Sequence, residues 1–208
     1  MKTTKIGVIA TALIACGIMA LTACQGKNST TSASTSAASS KDTTTANANS
    51  QQQPDSYLKA IDKYIVEEIG KNYDKSDVCI PQAMIVAADD MDDQDIKVWG
   101  DFWVFNYKIA GDTLKTASGG SHPGLIHLKK SGNEYEITSF ERVADGADNL
   151  PSAKKIFGDK FDAFQKMNSN EKGREKHRAQ GIATYVKEHN IKVTMYQDYG
   201  WPAVKLPE

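Results

Sequence analysis

The stretch Ile96-Lys97-Val98-Trp99-Gly100-Asp101-Phe102-Trp103-Val104-Phe105-Asn106-Tyr107-Lys108-Ile109 decides the fold of this chain. Successive residues of a strand point to opposite faces of the sheet, and here both faces are apolar. One face carries Trp99, Trp103, Phe105 and Tyr107, and the other carries Ile96, Val98, Phe102 and Val104. The pattern therefore predicts a central strand that is covered on both sides.

Shorter apolar runs surround this strand. Apolar residues at three- and four-residue steps over 58–69 predict a helix, which Asp55 or Ser56 can cap. The run 83–88 predicts a buried strand, and Ala110-Gly111-Asp112 predicts a turn. Further strands are predicted over 113–118, 125–129 and 135–143, with the glycine-rich stretch 119–124 as a loop between the first two.

The pattern changes after Gly146. One helix is predicted over 152–164 and a second, more polar one over 170–189, and alternation over 191–195 predicts a last strand. Residues 55–208 thus form one α+β domain with an N-terminal helix, an antiparallel meander of four or five strands, two C-terminal helices and a final strand.

The element order over about 55–143, a helix followed by a long, aromatic-rich meander, resembles the NTF2-like and cystatin-like folds. The resemblance implies a concave sheet face that can hold a pocket, which Trp99, Trp103, Phe105 and Tyr107 would line. The alternative is that these aromatic side chains belong to the core. Two polar residues, Ser121 and His122, are expected at the rim if the domain binds a ligand.

The first segment has the layout of a secretory signal. Lys2 and Lys5 precede an almost wholly apolar run over 6–20, and small residues follow. Leu21-Thr22-Ala23-Cys24 resembles the lipobox of bacterial lipoproteins, which implies cleavage after residue 23 and a diacylglycerol thioether on Cys24. Leu13-Ile14-Ala15-Cys16 also fits the pattern, but it leaves a shorter apolar core before the cut.

Residues 24–54 predict a flexible tether, because Ser, Thr, Ala, Asn and Gln dominate and no aliphatic side chain is larger than Ala. We expect the protein to be exported and anchored to the cell envelope by the lipid on Cys24. Gln25 favours the outer membrane if the host has two membranes, since it is not the Asp associated with retention in the inner membrane.

Composition excludes some partners. Lys and Arg number 25 against 26 Asp and Glu, so the chain has a formal net charge of -1 and no global field for nucleic acid. No cofactor motif is present, and the four histidines lack the spacing of a zinc site. His122 and His127, five residues apart, are expected on opposite faces of a strand. The acidic run 89–95 lacks the EF-hand pattern and predicts a solvated turn.

No complete catalytic set stands out. Gly119-Gly120-Ser121-His122-Pro123 has Pro where a nucleophile elbow needs Gly. Cys79 lies between Val78 and Ile80, which predicts a small apolar position. The sequence favours a non-catalytic envelope module that binds a protein, glycan or small ligand. The alternatives are a small enzyme with an NTF2-like pocket and His122 as acid or base, and a cystatin-like inhibitor.

Overall fold

Four long strands form an antiparallel meander. The structure is a computed structural model that describes residues 57–208, so the predicted signal peptide (1–23), Cys24 and the tether (24–54) lie outside the described residues. The strands are β1 (Val78–Asp89), β2 (Ile96–Ala110), β3 (Thr113–Ser131) and β4 (Glu134–Arg142).

Two short strands from the C-terminal segment complete the sheet. They are β5 (Met195–Gln197) and β6 (Val204–Lys205), and the sheet order is β1-β2-β3-β5-β6, with β4 also paired to β3. The long β3 therefore has two partners on one side: its first residues pair in parallel with β5, and its second half pairs antiparallel with β4. The final strand predicted over 191–195 begins only at Met195, because Val193 packs into the core under a helix instead of joining the sheet.

Helices cover the sheet on both faces. Helix α1 (Tyr57–Tyr64) continues through a π-helical turn (Ile65–Ile69) and a 3-10 turn (Gly70–Asn72). After β4 come α2 (Asn149–Phe157), α3 (Phe161–Ser169) and α4 (Glu171–Glu188). The single helix predicted over 152–164 is thus two helices, because Gly158 adopts a positive φ of 51° at the end of α2. Helix α4 begins as predicted, with the Asn170 side chain accepting from the backbone N–H of Gly173.

Strand β2 is the centre of the domain, as its sequence predicts. Ile96, Val98, Phe102 and Val104 are buried against α1 and its continuation. The other face packs against α4 through Phe105 and Tyr107, and against α2 and α3 through Trp99. The α+β class is therefore confirmed, and the sheet has no open face along most of β2.

The loop predicted over 119–124 is wrong, because β3 runs without a break from Thr113 to Ser131. Two of its glycines lie where another segment of the same chain comes too close for a side chain. A Cβ on Gly124 would lie 2.2 Å from the carbonyl oxygen of Glu141, and a Cβ on Gly120 would lie 2.3 Å from the Tyr73 hydroxyl. Glycine in a strand often marks such an approach, which local sequence reasoning cannot distinguish from a turn.

Strand β1 is an outer strand of the sheet, and it contains Pro81. Helices α1 and α4 border this edge from opposite faces and leave a groove above Pro81, Gln82 and Ala83. Within residues 57–208, no helix is both long and apolar enough to cross a membrane.

Candidate functional site

The aromatic stripe of β2 divides into three environments. Phe105 and Tyr107 are buried beneath α4. Trp99 lies under α2 and α3, where its Nε1 donates to the carbonyl oxygen of Ile156 at 3.0 Å and the Lys160 ammonium lies 4.5 Å from its ring. Trp103 is only partly buried. Phe105 and Tyr107 are therefore core, Trp99 is partly buried under α2 and α3, and Trp103 borders a cleft.

This cleft, which we call the Trp103 cleft, lies between β1, β2 and α4 and has a volume of about 180 Å³. The Trp103 and Phe105 rings are nearly parallel, with centroids 5.3 Å apart and an interplanar angle of 12°. The two rings stack on each other at the edge of the cleft, and we call this pair the aromatic wall. The remaining lining side chains are those of Gln82, Met84, Glu171, Arg174, Glu175 and Arg178.

Asp101 fixes the indole of Trp103. Its carboxylate accepts from Trp103 Nε1 at 2.7 Å and from the Ser121 hydroxyl at 2.7 Å. Asp101 is 1% exposed, and burial raises the pKa of its carboxyl, while hydrogen bonds from Ser121, Trp103 and the His122 backbone offset part of the rise. Sequence reasoning missed Asp101. Its position between Trp99 and Trp103 on one strand face was the available signal.

Arg178 lines the Trp103 cleft and lies between α4 and the sheet. Its guanidinium makes two hydrogen bonds to the Asp198 carboxylate, at 2.7 and 2.6 Å, and it donates to the Tyr107 hydroxyl at 2.9 Å. It also lies 4.5 Å from the centroid of the Phe105 ring. Burial raises the pKa of Tyr107 to about 12, against the opposing effect of Arg178. The Tyr107 phenol is therefore neutral at ordinary pH and accepts from the guanidinium.

Burial also raises the pKa of the Asp198 carboxyl, but hydrogen bonds from Arg178 and Thr116 outweigh it, so the net shift is downward. Thr116 donates to the same carboxylate at 2.7 Å. Helix α4, strand β3 and the C-terminal segment are thereby joined at a single ionised pair.

Arg174 lies one helical turn before Arg178, so both side chains project from the same face of α4. Its Nε atom is buried and has no hydrogen-bond partner among residues 57–208. A buried donor without an acceptor costs about 1–3 kcal/mol. Gly181 permits the approach of α4 to the sheet, because a Cβ there would lie 2.3 Å from Nε2 of Gln82, a side chain that donates to the Arg178 carbonyl.

The structure separates Ser121 from His122. Ser121 pairs with Trp103 and His122 with Phe102 across β2 and β3, so their side chains lie on opposite faces of the sheet. His122 is 8% exposed, and its Nε2 lies 2.8 Å from the Tyr73 hydroxyl. Burial lowers its pKa, and so does Arg142. The expectation that Ser121 and His122 share one pocket rim is therefore wrong, because the predicted loop is a strand.

The other chemistry-bearing residues are held in the framework. Cys79 is a free thiol packed beside the α1 layer, and burial raises its pKa, which disfavours the nucleophilic thiolate. His127 lies on the face opposite His122, as predicted, and its Nδ1 is 2.6 Å from the Asp95 carboxylate. Lys97 also pairs with Asp95, at 3.0 Å. No cluster of three or more metal-ligating side chains occurs within residues 57–208.

A second depression, the β1-edge groove, lies between α1 and α4 and has a volume of about 530 Å³. Burial and, to a smaller extent, the nearby Glu188 charge raise the pKa of Asp62 in this groove to about 6. Asp62 therefore binds a proton more tightly in the folded domain than in the unfolded chain.

Comparisons of the chain with family models, with curated protein sequences and with solved structures return no match. The resemblance to NTF2-like and cystatin-like folds is therefore not confirmed.

We expect Arg178→Lys to lower the free energy of unfolding by about 1–3 kcal/mol, because lysine cannot make both hydrogen bonds to Asp198 while stacking on Phe105. Urea unfolding followed by tryptophan fluorescence measures the change. Lys176→Ala, at an exposed position of the same helix, is the control and is expected to stay within about 0.5 kcal/mol of the wild type. Equal stability of Arg178→Lys and wild type contradicts the prediction.

Asp62 predicts a pH dependence of stability. Because its pKa is raised from 3.8 to about 6, its contribution is fully present below about pH 4 and is lost as the pH rises through about 6. The free energy of unfolding contributed by this group should fall by about 1–3 kcal/mol between pH 4 and pH 7. In Asp62→Asn this component disappears, so the difference between variant and wild type must change with pH. A constant difference from pH 4 to pH 7 refutes the assignment.

Proposed function

We propose that the chain is an exported, lipid-anchored module of the bacterial cell envelope, and that its domain binds a saccharide ring in the Trp103 cleft without chemical turnover. The observation that carries the proposal is the aromatic wall of Trp103 and Phe105, which faces a rim of hydrogen-bonding side chains. One face of a pyranose ring presents C–H groups, which suit the negative face of an indole, and its hydroxyl groups point outward to the rim.

The size of the cleft limits the bound group. Its volume of about 180 Å³ lies below the roughly 300–1,000 Å³ of sites that enclose drug-sized ligands. It accommodates a single ring, held between the aromatic wall and α4. The Arg174 guanidinium, which lines the cleft, would donate to a ring or hydroxyl oxygen, and Glu171 and Glu175 would accept from hydroxyl groups.

The cleft is arranged for binding more than for catalysis. A glycosidase needs two carboxyl groups that flank the scissile bond. Glu171 and Glu175 project from successive turns of one helix, so both approach a ligand from the same side. Asp101 is buried behind Trp103 with its oxygens engaged, and His122 lies on the far side of the sheet. These placements favour the binding module over the alternative of a small enzyme.

Anchoring rests on the sequence before the described residues. Lipidation of Cys24 and a tether over 24–54 would hold the domain at a membrane with a reach of about 30 Å. A tethered domain gains effective concentration toward any glycan within that reach, so a weak cleft suffices.

The anchoring proposal predicts the mature N-terminus. The full chain expressed in a bacterium should begin at Cys24 and carry diacylglycerol there, as measured by mass spectrometry of the membrane fraction. Cys24→Ser should abolish lipidation, while Cys16→Ser, the matched control, should leave it intact. Lipid on Cys16, or a mature protein that starts at Met1, overturns the assignment.

The binding proposal predicts weak, Trp103-dependent binding of monosaccharides. A panel of methyl glycosides and N-acetylglucosamine should include a ligand with a Kd near 1 mM, about −4 kcal/mol, by ligand-observed NMR and calorimetry. Trp103→Leu should weaken that binding about tenfold by removing the aromatic wall, whereas Trp103→Phe should retain most of it.

The glycosidic bond of each bound methyl glycoside should remain intact on prolonged incubation. Hydrolysis that is lost in Glu171→Gln would replace the binding function with an enzymatic one. If no member of the panel binds, or if Trp103→Leu binds like the wild type, the saccharide site is refuted.

A further inference from the structure

A second cavity adjoins the Trp103 cleft on the same side of α4. We call it the Trp201 groove; it has a volume of about 800 Å³ and lies between α4 and the C-terminal segment. Glu171, Glu175 and Arg178 line both cavities. The two cavities therefore border each other at these three side chains.

The Trp201 groove has an aromatic surface of its own. Trp201 lines it and is 71% exposed, and Tyr196 lies beneath at 7% exposure. The Trp201 backbone N–H donates to the carbonyl oxygen of Asp198 at 3.1 Å, and Gln197 Nε2 donates to the Trp201 carbonyl oxygen at 2.8 Å. Both backbone polar groups of Trp201, its N–H and its carbonyl oxygen, are thus hydrogen-bonded within the turn.

Arg178 fixes the spacing between the two aromatic surfaces. One guanidinium lies 4.5 Å from the Phe105 ring centroid and 5.2 Å from that of Tyr196, and it holds Asp198, at the start of the turn, with two hydrogen bonds. The backbone segments that carry the two surfaces are therefore positioned before a ligand arrives, which reduces the entropy lost on binding.

The charges of the Trp201 groove balance. Three acidic side chains, Glu171, Glu175 and Asp198, face three basic ones, Lys172, Lys176 and Arg178. Such a lining gives neither a polyanion nor a polycation an advantage. It suits a neutral ligand rich in hydroxyl groups, since a hydroxyl both donates to carboxylates and accepts from ammonium groups.

From the adjacency of the two cavities, the exposed Trp201 indole and the balanced charges, we infer that the domain binds a linear, neutral oligosaccharide, with one ring in the Trp103 cleft and a later ring on Trp201. The inference rests on the saccharide site proposed above and extends it to a chain of at least two rings. Because both contacts belong to one ligand, the second adds to the first within a single molecule and raises affinity with chain length.

The test measures affinity against chain length. The probes are linear glucose, mannose and N-acetylglucosamine oligomers of one to six units, titrated by calorimetry and ligand-observed NMR into the full domain. In at least one series the affinity should rise tenfold or more from one unit to six. Trp201→Ala should abolish this rise and leave the single unit unaffected, while Trp103→Leu should weaken every length.

Tyr199→Ala is the matched control. Tyr199 is on the same turn and is 94% exposed, but it does not line the Trp201 groove, so its removal should leave the length dependence unchanged. Melting curves of the variants establish that each is folded. Because Trp201 is highly exposed, its replacement should change the free energy of unfolding little.

The outcomes separate the two proposals. If Trp103→Leu changes no affinity, the saccharide site itself fails. If Trp103 matters but affinity does not rise with length in any series, or if the rise survives Trp201→Ala, only the extended-chain inference fails. Binding of neutral phosphatidylcholine vesicles that depends on Trp201, without any length dependence for oligosaccharides, replaces the glycan with a lipid surface and also overturns the inference.

Discussion

The rest of the architecture depends on the ionised pair of Arg178 and Asp198. A planar guanidinium combines several fixed donors with faces that stack on aromatic rings, and Arg178 uses both properties at once. Through it, α4 is joined to Tyr107 on β2, to Thr116 on β3 and to the C-terminal segment. Helix α4 has a weakly apolar face, with Ile182 and Val186 as its buried residues. The pair therefore does much of the positioning that a broader apolar stripe does in other helices.

Different kinds of contact hold the helices against the two faces of the sheet. Against α1, the core is largely aliphatic and aromatic, with His122 and Asn106 as enclosed polar exceptions. Against α4, the buried polar side chains are hydrogen-bonded: Asp101 accepts from Trp103 and Ser121, and Gln82 donates to the Arg178 carbonyl oxygen. Buried polar groups are costly unless their partners are in place, so this face tolerates few alternative arrangements. A binding surface on this face benefits from having few alternative arrangements, because its side chains are already in position when a ligand binds.

Local pattern predicted the elements whose cause is local. The alternation of β2, the turn at Gly111 and the start of a helix near Asn170 follow from neighbours in the sequence. The glycines of 119–124 were misread because Tyr73 and Glu141, which need the space, are far away in the chain. The Trp103 cleft was partly foreseen through its aromatic residues. Arg174 and Arg178 were not, since they look like ordinary members of a polar helix until Tyr107 and Asp198 are placed beside them.

The outer edge of strand β1 matters when copies of this domain are held close together. An unpaired strand edge is a template on which another chain can add, and crowding increases the chance of such polymerisation. Pro81 has no backbone N–H to offer to an incoming strand. Helices α1 and α4 border the edge at the same point, so a flat sheet cannot slide against it. Copies of this domain packed at high density would therefore meet at β1 without adding a strand there.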